Sequence, residues 1–558
     1  MDRRSFLFGA AYAITKAGQP AAAHRGFEDV AAKAGVRFLH SACPTSQKYL
    51  PESMGAGVAM LDYNNDGFLD IFFVNGAALR DPMPAGYQPE KTDPRYWNRL
   101  FRNNRDGTFT DVTEAAGLQG RGYGMGVAVG DFNNDGLPDI YVTGLGRNSL
   151  YRNNGNGTFS DVTGKAGVAC GGWSTSACFV DYDRDGRLDL IVTRYLQWDF
   201  AQNIFCGEHR PGYRAYCHPD QFKPTTHVVF HNNGDGTFTD VSKHCGLGSV
   251  ASKGLGIAIN DFDRDGWPDI AVANDSFPEQ LFRNNRDGTF TEVAVERGMA
   301  YDEDGKTFAG MGIDCADYDN DGWPDVFIDA LANQRYALYR NQAGTSFDYV
   351  SGASGIAGLS AVHSGWGAKF LDYDNDGWQD LLVAQGHVMD NIALTQPSLR
   401  YKETLLLLRN QRGRFQDVSA HGGAAFQIPL AARGLAVGDL NNDGWVDAAI
   451  NCNNGPAIVL MNRGGNGNHW LLVNTVGTRS NRDGIGATVR LVSESGNEQH
   501  RYVSTAGSYL SASDKRPHFG LGQDRTAKMV EITWPSGVVQ RLENISVDRV
   551  LTVKEPLR

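Results

Sequence analysis

No stretch of 18 apolar residues occurs in the chain, which excludes a membrane-spanning helix. Positive charge is in deficit, with 52 Lys and Arg against 64 Asp and Glu and a formal net charge of −12, so nucleic acid is excluded as a partner. The chain has no G-x-S-x-G, H-E-x-x-H or C-x-x-C-H motif. The common signatures of a nucleophile elbow, a zinc protease helix and a haem attachment site are therefore missing. What is abundant is glycine, 67 of 558 residues, which implies many tight turns between many short strands.

Those turns follow a repeat. The pattern Asp-x-(Asp or Asn)-x-Asp-Gly-x-x-Asp occurs seven times, starting at Asp62, Asp131, Asp181, Asp261, Asp317, Asp372 and Asp439, and its fifth and ninth positions are Asp in every copy. Five residues before the first Asp stands a Gly in six copies and Ser176 in the other. Such small residues suit strands crowded around a narrow axis. Each loop is followed by an apolar strand such as Ile71-Phe72-Phe73-Val74, and then by a strand, turn and strand of the type Phe101 to Val112. That second signature recurs from Tyr151, Phe230 and Phe282, and more weakly from Tyr339 and Leu408. Four strands per unit and seven units predict an all-β fold, a seven-bladed β-propeller over residues 24–465, with a small C-terminal β-sandwich-like domain over 466–558. The seventh unit lacks its final Phe-x-Asp-Val strand, whereas Phe27-Glu28-Asp29-Val30 is such a strand with no unit before it. The N-terminal strand is therefore expected to complete the last blade and close the ring.

The loops carry the chemistry. Carboxylates at alternate positions of a tight Gly-containing turn converge on one point, as a hard divalent cation requires. The expected ligands are the side chains at the first, third, fifth and ninth positions and the backbone carbonyl at the seventh. In chain order these are Asp62, Asn64, Asp66, Phe68 and Asp70; Asp131, Asn133, Asp135, Leu137 and Asp139; Asp181, Asp183, Asp185, Arg187 and Asp189; Asp261, Asp263, Asp265, Trp267 and Asp269. The remaining three sets are Asp317, Asp319, Asp321, Trp323 and Asp325; Asp372, Asp374, Asp376, Trp378 and Asp380; Asp439, Asn441, Asp443, Trp445 and Asp447. An ordinary Asp-Gly turn explains the Gly and one Asp, not three or four carboxylates that repel one another without a cation. Up to seven structural Ca2+ ions are expected, and zinc and copper are disfavoured because the loops contain no soft ligands. The three loops with Asn at the third position should bind more weakly. The loops hold 25 of the 64 acidic residues, and seven divalent ions would take the net charge from −12 to +2.

These loops resemble the FG-GAP or VCBS-type repeats of integrin-α-like propellers. The tail, through Asn468-His469-Trp470-Leu471, Ser480 to Ala487, His518-Phe519-Gly520-Leu521-Gly522 and Trp534-Pro535-Ser536-Gly537, resembles the ASPIC/UnbV domain. Together they resemble the cartilage acidic protein family and its bacterial relatives. The resemblance implies calcium in the loops and an adhesion-like or ligand-binding role.

Residues 1–23 resemble a twin-arginine signal, with Arg3-Arg4, an apolar run and Ala21-Ala22-Ala23, which predicts export of a folded protein to the periplasm or the extracellular space. Cys206 and Cys217 flank a polar loop and are expected to form a disulfide; a metal site from Cys206, His209, Cys217 and His218 is the alternative. Three long insertions, at 77–99, 194–226 and 386–404, hold Tyr87, Tyr96, Trp97, Tyr195, Trp198, Tyr213 and Tyr216. They suit recognition of a glycan or protein ligand, or form a lid on the propeller. Function reads as an exported calcium-binding adhesion or scaffold module. The alternative is a propeller enzyme whose site the insertions form, with His363, His387 and Asp275 as candidates. Ligand and oligomeric state stay open at this point.

Overall fold

The structure, a computed structural model, describes residues 26–557; the expected signal segment lies outside the described residues. Seven four-stranded antiparallel sheets form the blades of a propeller. Their innermost strands are Val58–Leu61, Tyr123–Gly130, Ser174–Val180, Gly254–Asn260, Ile313–Ala316, Gly365–Leu371 and Ala432–Gly438, for blades 1 to 7 in order. The second strand of each blade starts at the ninth Asp of its loop, as in Asp70–Phe73, which is buried along its whole length. Both faces of such a strand pack on a neighbouring blade, which is why these segments read as unbroken apolar runs rather than alternating ones.

The ring closes as its sequence implies. Phe27–Asp29 pairs antiparallel with Ile458–Asn462 as the outer strand of blade 7, with Phe27 opposite Asn462 and Asp29 opposite Leu460. Phe27 packs against Tyr373 and Phe426, the place that Phe159 takes against Tyr63 between blades 1 and 2.

The C-terminal residues form two sheets. One has His469–Val476 between His518–Gly522 and Arg549–Lys554; the other has the order Glu498–Tyr502, Thr488–Ser493, Thr526–Thr533, Val539–Ser546. Leu471, Val489, Phe519, Val530 and Leu551 fill the space between them, and Trp534 belongs to this core, its Nε1 donating to Gln540 Oε1 at 3.1 Å.

This domain does not stop at the propeller's edge. Residues 505–514 leave it and enter the central channel, where they bond to the innermost strands. Gly507 N donates to Ile257 O (3.0 Å), Ser508 N to Ile313 O (2.6 Å), Ala512 N to Val58 O (3.0 Å) and Asp514 N to Val437 O (3.0 Å), while Leu510 O accepts from Val127 N (3.0 Å). Blade 6 joins through Lys369, whose Nζ donates to Ala506 O (3.4 Å), and through Trp366, which meets the Tyr509 ring edge-on at 5.0 Å. Crowding at the axis explains the small residue of the repeat. A Cβ on Gly57 would lie 2.3 Å from Leu510 O of the plug, whereas on the other five glycines it would first meet backbone of the next blade, as at Gly312, 1.8 Å from Trp366 O, and Gly434, 2.4 Å from Ala56 O. Where blade 3 has Ser176 instead, its hydroxyl donates to Leu255 O (2.5 Å) and accepts from Leu510 N (3.0 Å).

The insertions cover the other end of the channel. Tyr96, Tyr195, Trp198 and Tyr216 are buried, and the last three pack with Tyr49, Trp173, Trp366 and Tyr509. Tyr216 Oη donates to Glu52 Oε2 at 3.1 Å, and Asn391 Nδ2 donates to Gly212 O and Arg214 O, which ties the second insertion to the N-terminal segment and to the third insertion. Cys206 and Cys217 are disulfide-bonded, so their sulfurs are not thiolate ligands. The lid accounts for these four aromatics; Tyr87, Trp97 and Tyr213 are half-exposed.

Candidate metal centres of the propeller ring

All seven loops fold alike. The first Asp accepts from the Gly amide, as Asp62 Oδ2 does from Gly67 N at 2.8 Å. The fourth residue has a left-handed backbone, with φ of 54° at Asn65 and 55° at Arg264. Asn suits this conformation. In five blades the residue is Asn, and its Nδ2 donates to the Gly carbonyl of the next loop: Asn65 to Gly136, Asn134 to Gly186, Asn320 to Gly377, Asn375 to Gly444 and Asn442 back to Gly67.

The ninth Asp does more than face the loop. Asp70 Oδ2 accepts from Tyr63 N (3.1 Å) and Oδ1 from Asn103 N (2.7 Å), and this pair of bonds recurs in every blade. The Asn so held, in the third strand, shows in the sequence only as part of a hairpin signature. Its Nδ2 reaches back to the preceding blade: Asn153 to Tyr63 O, Asn232 to Phe132 O, Asn284 to Tyr182 O, Asn341 to Phe262 O, Asn410 to Tyr318 O, Asn462 to Tyr373 O and Asn103 to Leu440 O. The last of these joins blade 1 to blade 7. Asn103→Ala leaves buried acceptors unpaired and is expected to lower stability by about 1–3 kcal/mol in denaturant unfolding; a change of only a few tenths would show that this Asn staples nothing.

The loops differ in how far they satisfy themselves. In blades 1, 2 and 7 the third-position Asn donates to the fifth Asp: Asn64 to Asp66 (3.1 Å), Asn133 to Asp135 (2.9 Å) and Asn441 to Asp443 (2.8 Å). In blades 3 to 6 the third residue is Asp, and each loop holds one buried carboxylate oxygen without a hydrogen-bond partner: Asp181 Oδ1, Asp263 Oδ1, Asp317 Oδ1 and Asp374 Oδ1. In those same four loops three carboxylates place oxygens within 4.8 Å of one another: Asp181, Asp183 and Asp189; Asp261, Asp263 and Asp265; Asp317, Asp319 and Asp325; Asp372, Asp374 and Asp380. Several Asp clusters could thus hold metal ions, and the oxygen donors fit a hard cation.

Burial, and after it the neighbouring charges, push these carboxyls far above the ordinary range. Asp181 is raised to about 8, with Asp189, Asp185 and Asp183 adding to the effect of burial. Asp317 and Asp439 are raised to about 7, and Asp261 and Asp374 to about 6, burial leading in each. Guanidinium groups approach from outside: Arg340 Nε lies 2.7 Å from Asp319 Oδ2, and Arg409 2.8 Å from Asp374 Oδ2. Both arginines are more than a third exposed, so they screen the loops weakly.

The tail docks on this acidic face. Asp483 Oδ2 accepts from Asp131 N (2.8 Å), Arg482 N donates to Asn134 Oδ1 (2.8 Å), Asn468 Nδ2 to Asp374 O (2.8 Å), and Arg184 Nε to Pro535 O (2.6 Å). The residues that the sequence offers for catalysis are otherwise engaged. His363 Nδ1 lies 3.4 Å from Glu403, and His387 Nδ1 accepts from Met389 N, burial lowering its imidazole to about 4. Asp275 accepts from Tyr195 Oη in a separate network.

Residues 477–557 match the ASPIC and UnbV family, and residues 62–142, 131–192, 224–272 and 261–328 match the FG-GAP-like repeat. Cartilage acidic protein 1 of Homo sapiens is 24% identical over 336 residues, which is 59% of this chain and 40% of that protein; the Mus musculus protein is 27% identical over 57% of this chain and 47% of its own length. The chain thus spans less than half the length of these relatives. Among solved structures, an Agrocybe aegerita lectin that recognises non-reducing terminal N-acetylglucosamine aligns over 65% of this chain and 79% of its own, at 16% identity and a TM-score of 0.35. Among the described residues no helix is long and apolar enough to cross a membrane. The chain is a propeller of FG-GAP-like repeats with a C-terminal ASPIC and UnbV domain, related in sequence to cartilage acidic protein 1 over more than half its length.

Proposed function

We propose that this is an exported, calcium-loaded scaffold that presents a rigid binding face to a glycan or protein ligand. The observation that carries the reading is the ring of loops, in which blades 3 to 6 each keep a buried, unpartnered carboxylate oxygen beside two more carboxylates. Calcium at these points would satisfy the orphaned oxygens and stiffen the surface on which the tail sits. The tail's plug and the insertions' lid occupy the two ends of the channel, which suits a body built for presentation.

The ligand face in this reading is the outer surface of the lid. Ile204, Phe205 and Leu394 are 43%, 40% and 49% exposed, large apolar groups on two insertions that are hydrogen-bonded to each other. Phe205 stacks on His209 at 4.1 Å, with Arg214 over its ring at 5.2 Å. A rigid aromatic flanked by an imidazole ring and a guanidinium is a common recognition element. A glycan and protein array probed with and without calcium is expected to yield a ligand whose binding needs calcium and is lost in Phe205→Ser at unchanged melting temperature. Binding that survives both changes would contradict the reading.

A further inference from the structure

Blade 3 departs from its sisters at one position. The residue before the stapling Asn of the third strand is Arg in blades 1, 2, 4, 5 and 6 (Arg102, Arg152, Arg283, Arg340, Arg409) and Met461 in blade 7; in blade 3 it is His231. In blades 5 and 6 this arginine presses on the loop carboxylates from outside and supplies only charge. An imidazole in the same place can supply an electron pair.

The geometry fits that use. His231 Nδ1 lies 3.3 Å from Asp183 Oδ2 and 3.2 Å from Asp189 Oδ1; that atom is shielded from solvent, although the side chain is 28% exposed, and it makes no hydrogen bond of acceptable angle to either. Its donor atom, one from Asp183 and one from Asp185 all fall within 4.8 Å of one another, and a second such group joins Asp181, Asp183 and Asp189. Independently, Asp181 is 4% exposed and its Oδ1 has no partner. Blade 3 therefore offers up to four carboxylates and a nitrogen, where the other loops offer oxygen alone.

We propose that the blade 3 loop is a mixed nitrogen and oxygen site selective for a divalent first-row transition ion, with His231, Asp183 and Asp185 as its nitrogen-bearing donor group and Asp181 and Asp189 adjoining it through Asp183, set among loops that take calcium. Imidazole favours such ions, and affinity for them rises along the series toward copper and zinc, whereas calcium gains little from a nitrogen donor. The proposal rests on the reading that these loops hold cations. It differs in assigning one of them a different metal, through a softer ligand that lies outside the loop, in the strand Val228–Asn232.

The test is cobalt binding by the full chain, stripped of metal and then saturated with Ca2+, followed by visible absorption and by equilibrium dialysis. Wild-type protein is expected to take up one equivalent of Co2+ in the presence of Ca2+, with a ligand-field spectrum that includes nitrogen. His231→Arg, which restores the residue of the other blades, and His231→Gln should each weaken that uptake at least about tenfold, while the rise in melting temperature given by Ca2+ is kept. Equal cobalt uptake in all three proteins, or its complete displacement by Ca2+ in the wild type, would overturn the proposal. Cobalt uptake that depends on His231 in a chain indifferent to Ca2+ would uphold it and overturn the calcium reading instead.

Discussion

Removing calcium is expected to lower the melting temperature by on the order of 10 °C, and by more at about pH 8 than at about pH 5. For sites of about 0.1 mM affinity in about 1 mM calcium, each bound ion stabilises the fold by roughly 1.4 kcal/mol, so seven contribute about 10 kcal/mol. That is comparable with the whole stability of an ordinary domain. The pH dependence follows from the raised carboxyls. Asp181 and Asp70 are raised to about 8, Asp131 and Asp317 to about 7, and Asp261 and Asp374 to about 6, all for burial first. A carboxyl whose folded pKa exceeds its unfolded value stabilises the fold while protonated, at low pH, and loses that contribution as pH rises through the folded value. Metal-free protein should therefore weaken progressively from about pH 4, the ordinary carboxylate value of the unfolded chain, to about pH 8. Calcium competes with protons for the same oxygens, so its stabilisation grows over the same interval. Scanning calorimetry with and without chelator at the two pH values measures both effects; equal melting temperatures throughout would refute them.

Tyr509→Ala is expected to cost about 3–5 kcal/mol, the range for deleting a large buried aromatic. Tyr509 is fully buried, stands edge-on to Trp366 and donates from Oη to Met54 O at 2.5 Å, so truncation leaves a void at the axis and an unpaired carbonyl. The plug is also held in conformations it would not keep alone. Ser508 and Leu510 have φ of 68° and 55°, which costs about 1–2 kcal/mol for each non-glycine residue. Bonds to the channel strands offset that cost. Loss of Tyr509 should therefore loosen the whole tail, seen as faster proteolysis near residues 505–514 together with the drop in stability. A loss below about 1 kcal/mol would show that the plug is a passenger.

The blades and their closure were legible because they depend on local rules repeated seven times. An acidic turn, a small residue five places before it and an Asn/Asp-Gly hairpin each announce themselves within a dozen residues. Phe27 could be placed beside blade 7 because the repeat left one strand over and one strand short. The plug was not legible. Thr505 to Asp514 is, apart from Tyr509 and Leu510, a run of small and polar residues without periodicity, and its partners are backbone groups of strands far away in sequence, which leave no mark on it. The staple was hidden in plain view, since Asn103 and its counterparts sit in a segment that a hairpin already explains. His231 is hidden for a related reason: the second insertion separates it from the loop it faces. The insertions' aromatics could not be assigned from composition, because a lid and a recognition surface use the same residues; burial of Tyr96, Tyr195, Trp198 and Tyr216 separates them from exposed Phe205.

The central claim is that the acidic loops are cation sites, and counting bound ions tests it most directly. Native mass spectrometry of the metal-stripped chain titrated with Ca2+ should show uptake rising toward seven ions. The four-carboxylate loops of blades 4 to 6 should fill before the Asn-containing loops of blades 1, 2 and 7, whose third-position Asn already donates to a loop carboxylate, with the blade 3 loop, which His231 faces, set apart. A chain that binds no calcium across that titration, or that binds it equally well after Asp317, Asp319 and Asp325 are replaced together by Asn, would contradict the account.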